Sequence, residues 1–173
     1  SILILLFTSI HYGQFGKNKV QYEEMEWLNF TTEHFSFYFE EGSEFLAEFS
    51  ALESERFYQV FKKMLKYELE EKVPIIIYNS PNQFLQTNVI TDILPEGVQG
   101  FTEGFKSRVV LPFNGNYNDY RHTLHHELTH AIYHHFLYGG KIQNLINKRR
   151  FIQLPLWFEE GIPEFISTYW DTE

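Results

Sequence analysis

The feature that most constrains this chain is a cluster of histidines at helical spacing. Six of the eight histidines fall between His122 and His135, and two of them, His126 and His130, enclose the sequence H-E-L-T-H. Residues four apart on an α-helix lie about one turn apart and about 40° round, so both imidazoles face one point. The pattern predicts two nitrogen ligands for one metal ion. Glu127, about 100° round the axis, is placed to reach a water at the metal rather than the metal itself.

The same stripe leaves two alternatives open. His122, His126, His130 and His134 recur every four residues, so another pair is able to bind a metal. A His-rich surface helix with only incidental metal affinity is the plainer interpretation. Among these pairs, only His126 and His130 have a glutamate directly after the first histidine, and this glutamate has the placement of a general base.

The absence of cysteine restricts the other ligands that a metal can use here. It excludes a thiolate-ligated metal, a catalytic thiol and a disulfide scaffold. A catalytic zinc needs a third protein ligand and an open position for water, so a histidine or a carboxylate must supply it. Glu160 and Glu164 lie one turn apart on the last predicted helix. Glu160 is the candidate ligand, and Glu164 can accept a hydrogen bond from a ligand imidazole; without the histidines, both would be interpreted as solvent-facing acids.

Three segments predict strands. Phenylalanines at every second position from Phe35 to Phe39 indicate a half-buried strand, and Pro74–Tyr78 is an apolar run typical of a buried one. Arg108–Pro112 is the third, and because proline lacks a backbone donor, it favours a position at the sheet edge. We therefore expect the three residues before this proline to pair with an added substrate strand. They are Val109, Val110 and Leu111.

Helical spacing predicts three longer helices, which with the strands give an α+β class. Glu44–Glu71 is amphipathic, and its charged face accounts for much of the net charge of −9, from 14 basic and 23 acidic residues. Asn118 or Asp119 is expected to cap the histidine-bearing helix, which runs to Tyr138. The last helix covers Trp157–Tyr169.

Charge and hydropathy exclude some partners. The acidic balance argues against nucleic acid, because phosphate contacts need clustered Lys and Arg. The apolar run Ile2–Ile10 is about half as long as a bilayer-spanning helix, so no membrane span is expected. It matches the apolar stretch of a secretory signal peptide, or else a buried strand. Residues 1–14 are therefore predicted to be a signal-peptide remnant or an N-terminal strand.

The H-E-x-x-H helix, followed by L-P-x-W-x-x-E-G-x-x-E over Leu154–Glu164, resembles the gluzincin metallopeptidases, specifically the peptidase-MA-like domains. The resemblance implies a zincin-like fold: a small mixed sheet, an edge strand packed on the active-site helix, and a later helix that carries the third ligand. It implies one Zn²⁺ ion, with Glu127 as the base and Glu164 as a residue outside the ligand set that contacts one of the ligands. The implied zinc ligands are His126, His130 and Glu160.

The N-terminal part, Phe15–Tyr22 and Thr32–Phe35, resembles secreted bacterial proteins in which such a domain precedes a TolB-like β-propeller. The resemblance implies a zinc-dependent peptidase domain over residues 15–173, continued beyond this segment. It also implies peptide or protein substrates and a secreted, periplasmic or cell-envelope location. One residue departs from the family pattern: Pro163 stands where alanine is usual, and a proline kink is expected to shift Glu164.

Two other functions stay open on the sequence. One is a non-catalytic, zinc-stabilised binding domain of a larger cell-envelope protein, against which Glu127 counts because a purely structural site has no use for a base. The other is a metal-assisted hydrolase that does not act on peptides. The group that stabilises the oxyanion is equally open. The candidates are Tyr133, Tyr138, Tyr169 and His134.

Overall fold

The computed structural model describes residues 25–87, 89, 97–104, 106–138 and 154–170, and these form a mixed α+β fold, as predicted. This described part contains a five-stranded mixed sheet and four helices. In chain order the elements are β1 (Trp27–Thr31), β2 (Phe35–Glu40), α1 (Glu44–Leu65), β3 (Val73–Tyr78), α2 (Pro81–Phe84), β4 (Phe101–Thr102), β5 (Val109–Pro112), α3 (Tyr117–Tyr138) and α4 (Leu156–Trp170).

The sheet has the strand order β1-β2-β3-β5-β4. Strands β2, β3 and β5 are parallel at its centre, and β1 and β4 run antiparallel to their neighbours at its two edges. Parallel neighbours need a crossover connection, and α1 supplies it between β2 and β3. The sheet is thus mixed, and β4 forms its edge on the side of β5.

Alternation along the central strands builds the core that supports α3. Phe35, Phe37 and Phe39 of β2 are buried, as their period of two predicted. Ile75 and Ile77 of β3 are fully buried in the same cluster, which also contains side chains of α1, β5 and α3. Burial of each such side chain stabilises the fold by about 1.5–3 kcal/mol. The histidine-bearing helix is therefore held by the main hydrophobic core.

Helix α1 ends before the predicted boundary at Glu71. Its last residue is Leu65, and Lys66 has a left-handed conformation with φ of 51°, a common way to end a helix. The hydroxyl of buried Tyr58 then accepts a hydrogen bond of 2.8 Å from the N–H of Leu69. This bond fixes the chain that leads from α1 into β3.

Helix α3 is capped by Asn116, ahead of the two predicted caps. The Oδ1 atom of Asn116 accepts a hydrogen bond of 2.9 Å from the N–H of Asn118. Asn118 and Asp119 both lie inside the first turn instead. Gly115, with a φ of +92°, turns the chain just before the cap and so sets where the helix begins.

The strand predicted at the sheet edge lies inside the sheet, so that prediction is wrong. Strand β5 lies between β3 and β4, and all four of its residues are buried. Its backbone pairs with β3 along its whole length and with β4 at Val109 and Val110, so it is not the sheet edge to which a substrate strand would add. The residues concerned are Val109, Val110 and Leu111.

An interior strand tolerates Pro112 because the proline nitrogen, which has no hydrogen to donate, faces a side without a paired strand among the described residues. Successive N–H groups of a strand point to opposite sides, and the N–H of Phe113 donates to the carbonyl of Tyr78 in β3 at 2.8 Å. The nitrogen of Pro112 therefore points towards the side of β4. Strand β4 begins only at Phe101, opposite Val110, so its ladder has already ended there.

The prediction for residues 1–14 lies outside the described residues. Among the helices that are described, none is both long enough and apolar enough to cross a bilayer.

Candidate metal centre and catalytic cleft

Helix α3 brings the two histidines of the motif together. The Nε2 atoms of His126 and His130 lie 3.3 Å apart. Both rings are partly buried, one turn apart on the same face of the helix. Burial lowers the pKa of His130 below the ordinary histidine value, which favours the neutral imidazole that binds metal ions.

Helix α4 adds a carboxylate to this pair. The Oε2 atom of Glu160 lies 3.6 Å from the Nε2 atom of His126 and 3.6 Å from that of His130. Pro163 and Ser167, which share this face of α4, are buried. Packing of this face against α3 therefore directs Glu160 towards the histidines.

The three ligand atoms fit a zinc ion. Their separations are 3.3, 3.6 and 3.6 Å. A tetrahedral zinc ion with bonds of about 2.0–2.1 Å separates its ligand atoms by about 3.3–3.4 Å. Two imidazole nitrogens and one carboxylate oxygen are also a donor set that zinc accepts, and they leave a fourth position for water or substrate.

The structure distinguishes between the histidine pairs of the stripe. Among the described residues, the one group of three histidine or acidic side chains whose ligand atoms all lie within 4.8 Å of one another is His126, His130 and Glu160. His122 instead approaches Glu164, at 3.8 Å. The rings of His130 and His134 have centroids 6.3 Å apart, against 5.0 Å for His126 and His130.

Glu127 is buried beside the ligands, where helix geometry predicted it. Its side chain is only 8% exposed, and it lines the same cleft as His126 and His130. Desolvation by burial, opposed by a hydrogen bond from Thr102 and aided by the nearby charge of Glu160, raises the pKa of Glu127 to about 7. A pKa near neutrality suits a group that must both accept and return a proton, and a cation bound beside it acts to lower that pKa.

The cleft has a volume of about 380 Å³ and lies between α3, α4 and the edge strand β4. Gly100, Phe101 and Thr102 form one wall, and Glu159 and Glu160 of α4 belong to the other. The candidate metal-binding atoms and Glu127 therefore share one opening, which a molecule in the cleft would reach.

Glu164 lies behind the ligands, on the other side of His126. Its Oε2 atom is 3.5 Å from the Nδ1 atom of His126, whereas Nε2 faces His130. Helix α4 continues through Pro163, so the proline does not remove Glu164 from the ligands. At this distance Glu164 acts on His126 electrostatically, and the hydrogen bond predicted from the sequence stays a prediction.

The other predicted site residues have different outcomes. The three residues of β5 are not among those that line the cleft. His134 lines it, whereas Tyr133 packs near Phe158, with ring centroids 6.4 Å apart. The side chains of Tyr138 and Tyr169 lie outside the described residues.

Thr102 is the site residue that the sequence analysis missed. Its hydroxyl contacts both the carboxylate and the backbone carbonyl of Glu127, at 2.8 Å each. The strand that carries it has two residues, too few for any alternation to be recognised. The sequence feature that could have indicated a close approach of the backbone here is Gly100, two residues before Thr102.

Comparison with known proteins identifies no family for this chain. The sequence matches no protein-family model, and no curated protein matches it significantly. The residues of the site therefore carry the functional interpretation.

Proposed function

We propose that this chain is a zinc-dependent peptidase domain. The observation that carries the proposal is the triangle of His126, His130 and Glu160, of the size that a zinc ion requires, with the buried carboxylate of Glu127 beside it. Three protein ligands with an open fourth position are characteristic of catalytic rather than structural zinc. The resemblance of the two motifs to the gluzincin metallopeptidases supports the same conclusion.

Each residue of the site has a separate task. Zinc, when bound, supplies Lewis acidity, which acidifies a water and polarises a carbonyl oxygen. His126, His130 and Glu160 would hold the ion. Glu127 takes one proton from the attacking water on its carboxylate and returns it to the amine that leaves. The water oxygen joins the carbonyl carbon as the C–N bond breaks, so the products are a carboxylic acid and an amine.

Strand β4 is the element that we assign to the substrate backbone. Among the described residues it is the outermost strand on this side of the sheet, and it forms a wall of the cleft. An extended peptide that pairs with such an edge gains main-chain hydrogen bonds with little selectivity for sequence. This assignment replaces the one made for β5 from the sequence.

The resemblance extends the proposal to the whole protein. It favours a secreted, periplasmic or cell-envelope bacterial protein whose chain continues into further structure, such as a β-propeller. The competing function is a non-catalytic, zinc-stabilised binding domain. The burial of Glu127 favours the peptidase, because an ionisable carboxyl is costly to bury and a purely structural site has no use for a base.

The test compares the wild type with Glu127→Gln. Zinc per chain is measured by mass spectrometry of the metal, and cleavage is measured on a mixed peptide library. We expect about one zinc per chain in both proteins and a loss of cleavage of about 100-fold or more in the variant, because the base is gone. Glu48→Gln, an exposed position on α1, is the control and should cleave like the wild type. Full zinc content with no cleavage by any of these proteins, made as full-length chains, would favour the binding domain.

A further inference from the structure

Thr102 makes two short contacts to the same residue across the cleft wall. Its Oγ1 atom lies 2.8 Å from Oε2 and 2.8 Å from the backbone oxygen of Glu127. A hydroxyl has one hydrogen, so the two acceptors share it as the hydroxyl rotates. These contacts join the edge strand β4 to the helix that carries the ligands, between residues 25 apart in the chain.

Close packing of β4 brings this hydroxyl within reach. A Cβ atom at Gly100 would lie 2.8 Å from Cδ2 of Leu111, closer than packing allows, and 3.0 Å from Cγ2 of Thr123, which is a tight contact. Glycine at position 100 therefore lets the strand approach β5 and α3 together. Thr102 pairs with Val109 of β5, and this pairing fixes the position of Thr102 along β5.

Neither Oε2 nor the backbone oxygen of Glu127 belongs to the ligand triangle. With Oε2 held by Thr102, Oε1 is the oxygen available for proton transfer. A glutamate side chain has three rotatable bonds, and a buried carboxylate without its donor loses both a hydrogen bond and a fixed orientation. Catalysis is sensitive to such orientation, since a misplacement of about 1 Å can cost about 100-fold in rate.

We propose that Thr102 is the positioning residue of the catalytic base: its hydroxyl orients the carboxylate of Glu127 for proton transfer. The proposal rests on the proposed peptidase function. It assigns the side chain of Thr102 no contact with zinc or substrate, because substrate pairing with β4 uses main-chain groups that a side-chain substitution leaves in place. The proposal therefore predicts an effect on kcat that is separate from substrate binding and from metal affinity.

The kinetic test compares Thr102→Val, which is nearly isosteric, with Thr102→Ser, which keeps the hydroxyl. We expect Thr102→Val to lower kcat by about 10- to 100-fold with KM changed by less than about twofold, and Thr102→Ser to restore most of the loss. Thr123→Val is the matched control, because its hydroxyl donates to the carbonyl of Asp119 instead. A kcat within twofold of wild type in Thr102→Val would overturn the proposal, and so would an equal loss in Thr102→Ser.

Two further measurements do not depend on activity. Zinc titrated into the metal-free proteins should bind Thr102→Val within about twofold of the wild-type affinity, and a parallel loss of zinc would overturn a role confined to the base. A double-mutant cycle combines Thr102→Val with Glu127→Ala and is measured by chemical unfolding. The unfolding constant of the double mutant should differ by about tenfold from the value that the two single substitutions predict when their effects are added. Additive effects would overturn the contact itself. A zinc-loaded, inactive wild type would overturn the peptidase function, and the catalytic role of Thr102 with it, whatever the cycle shows.

Discussion

The Oε2 atom of Glu164 lies 3.5 Å from the Nδ1 atom of His126, opposite the ring nitrogen that faces the metal-binding triangle. Through this contact Glu164, which lies outside the triangle, influences the orientation and basicity of His126, a proposed ligand. Partners of this kind, outside the ligand set, commonly change metal affinity by about 10- to 100-fold.

We therefore expect Glu164→Ala to weaken zinc binding by about 10- to 100-fold without removing a ligand. The measurement is a competition titration with a chelator of known affinity. His122→Ala is the matched control, since His122 also approaches Glu164, at 3.8 Å, but lies outside the triangle. Zinc affinity within twofold of wild type in Glu164→Ala would contradict the role of this contact.

Replacement of Glu160 should have the larger effect, because Glu160 is the proposed third ligand and belongs to the triangle. We expect the zinc affinity of Glu160→Ala to fall by more than the roughly 100-fold upper range for an outer partner. The adjacent Glu159 also lines the cleft but is outside the triangle, so Glu159→Ala should retain most of the affinity. Equal losses in the two variants would mean that Glu160 is not the third ligand.

The arrangement of the candidate histidine ligands was predictable because the relation between the two residues is local. His126 and His130 are fixed relative to each other by one turn of helix, and the position of Glu127 follows from the same geometry. Glu160 was selected from its position on a second helix that follows the H-E-x-x-H helix, together with the absence of cysteine. The distance of 3.3 Å between the two histidines follows from one helix alone, whereas the distances of 3.6 Å to Glu160 depend on the packing of α4 on α3.

The edge of the cleft could not be predicted in the same way. Sheet order is set by pairing between distant segments, and a two-residue strand such as β4 has no periodic pattern of its own. The edge rule for proline therefore selected β5 wrongly, because it ignores which side of the strand the missing N–H faces. Thr102 was missed for the same reason: its partner, Glu127, is reached only after the sheet has packed on α3.

Removal of the metal should destabilise the fold. A ligand at about 100 times its dissociation constant stabilises the native state by about 2.7 kcal/mol, which corresponds to about 5–10 °C in Tm for a chain of this size. We expect excess chelator to lower the Tm of zinc-loaded wild type by that amount, as measured by scanning calorimetry. His126→Ala, which lacks one ligand, should show a much smaller shift. The same shift in both proteins would assign the effect to another site.

The close approach of β4 can be tested at Gly100. A methyl group there meets buried Leu111 at 2.8 Å, so Gly100→Ala should lower the free energy of unfolding by about 1–3 kcal/mol. Gly161 is the matched control: it lies within α4, and no atom beyond its own helix backbone and immediate neighbours comes within 4 Å of an added Cβ. Gly161→Ala should therefore stabilise the protein by about 0.5–1 kcal/mol. Urea denaturation measures both changes, and a neutral Gly100→Ala would show that β4 has room to move.

Acid sensitivity should arise partly from a contact far from the cleft, between α1 and the turn before β2. The carboxylate of Glu55 lies 2.7 Å from Nδ1 of His34 and accepts a second hydrogen bond of 3.0 Å from the backbone N–H of that residue. Desolvation acts to raise the pKa of Glu55, but the hydrogen bonds outweigh it and leave the pKa below the ordinary value of 4.5.

A carboxyl whose pKa is lower in the folded protein stabilises the fold above its unfolded pKa, and this contribution is lost as the pH falls through the folded pKa. Glu55→Gln should therefore lower the free energy of unfolding by about 1 kcal/mol at pH 7, since Glu55 is partly solvent-exposed. The difference from wild type should shrink as the pH falls below 4.5. Glu48→Gln, exposed on the same helix, should change stability by less than about 0.5 kcal/mol at every pH. Urea unfolding at several pH values between neutral and acid measures this, and a Glu55→Gln deficit that persists undiminished in acid would show that the loss comes from packing rather than from the charge.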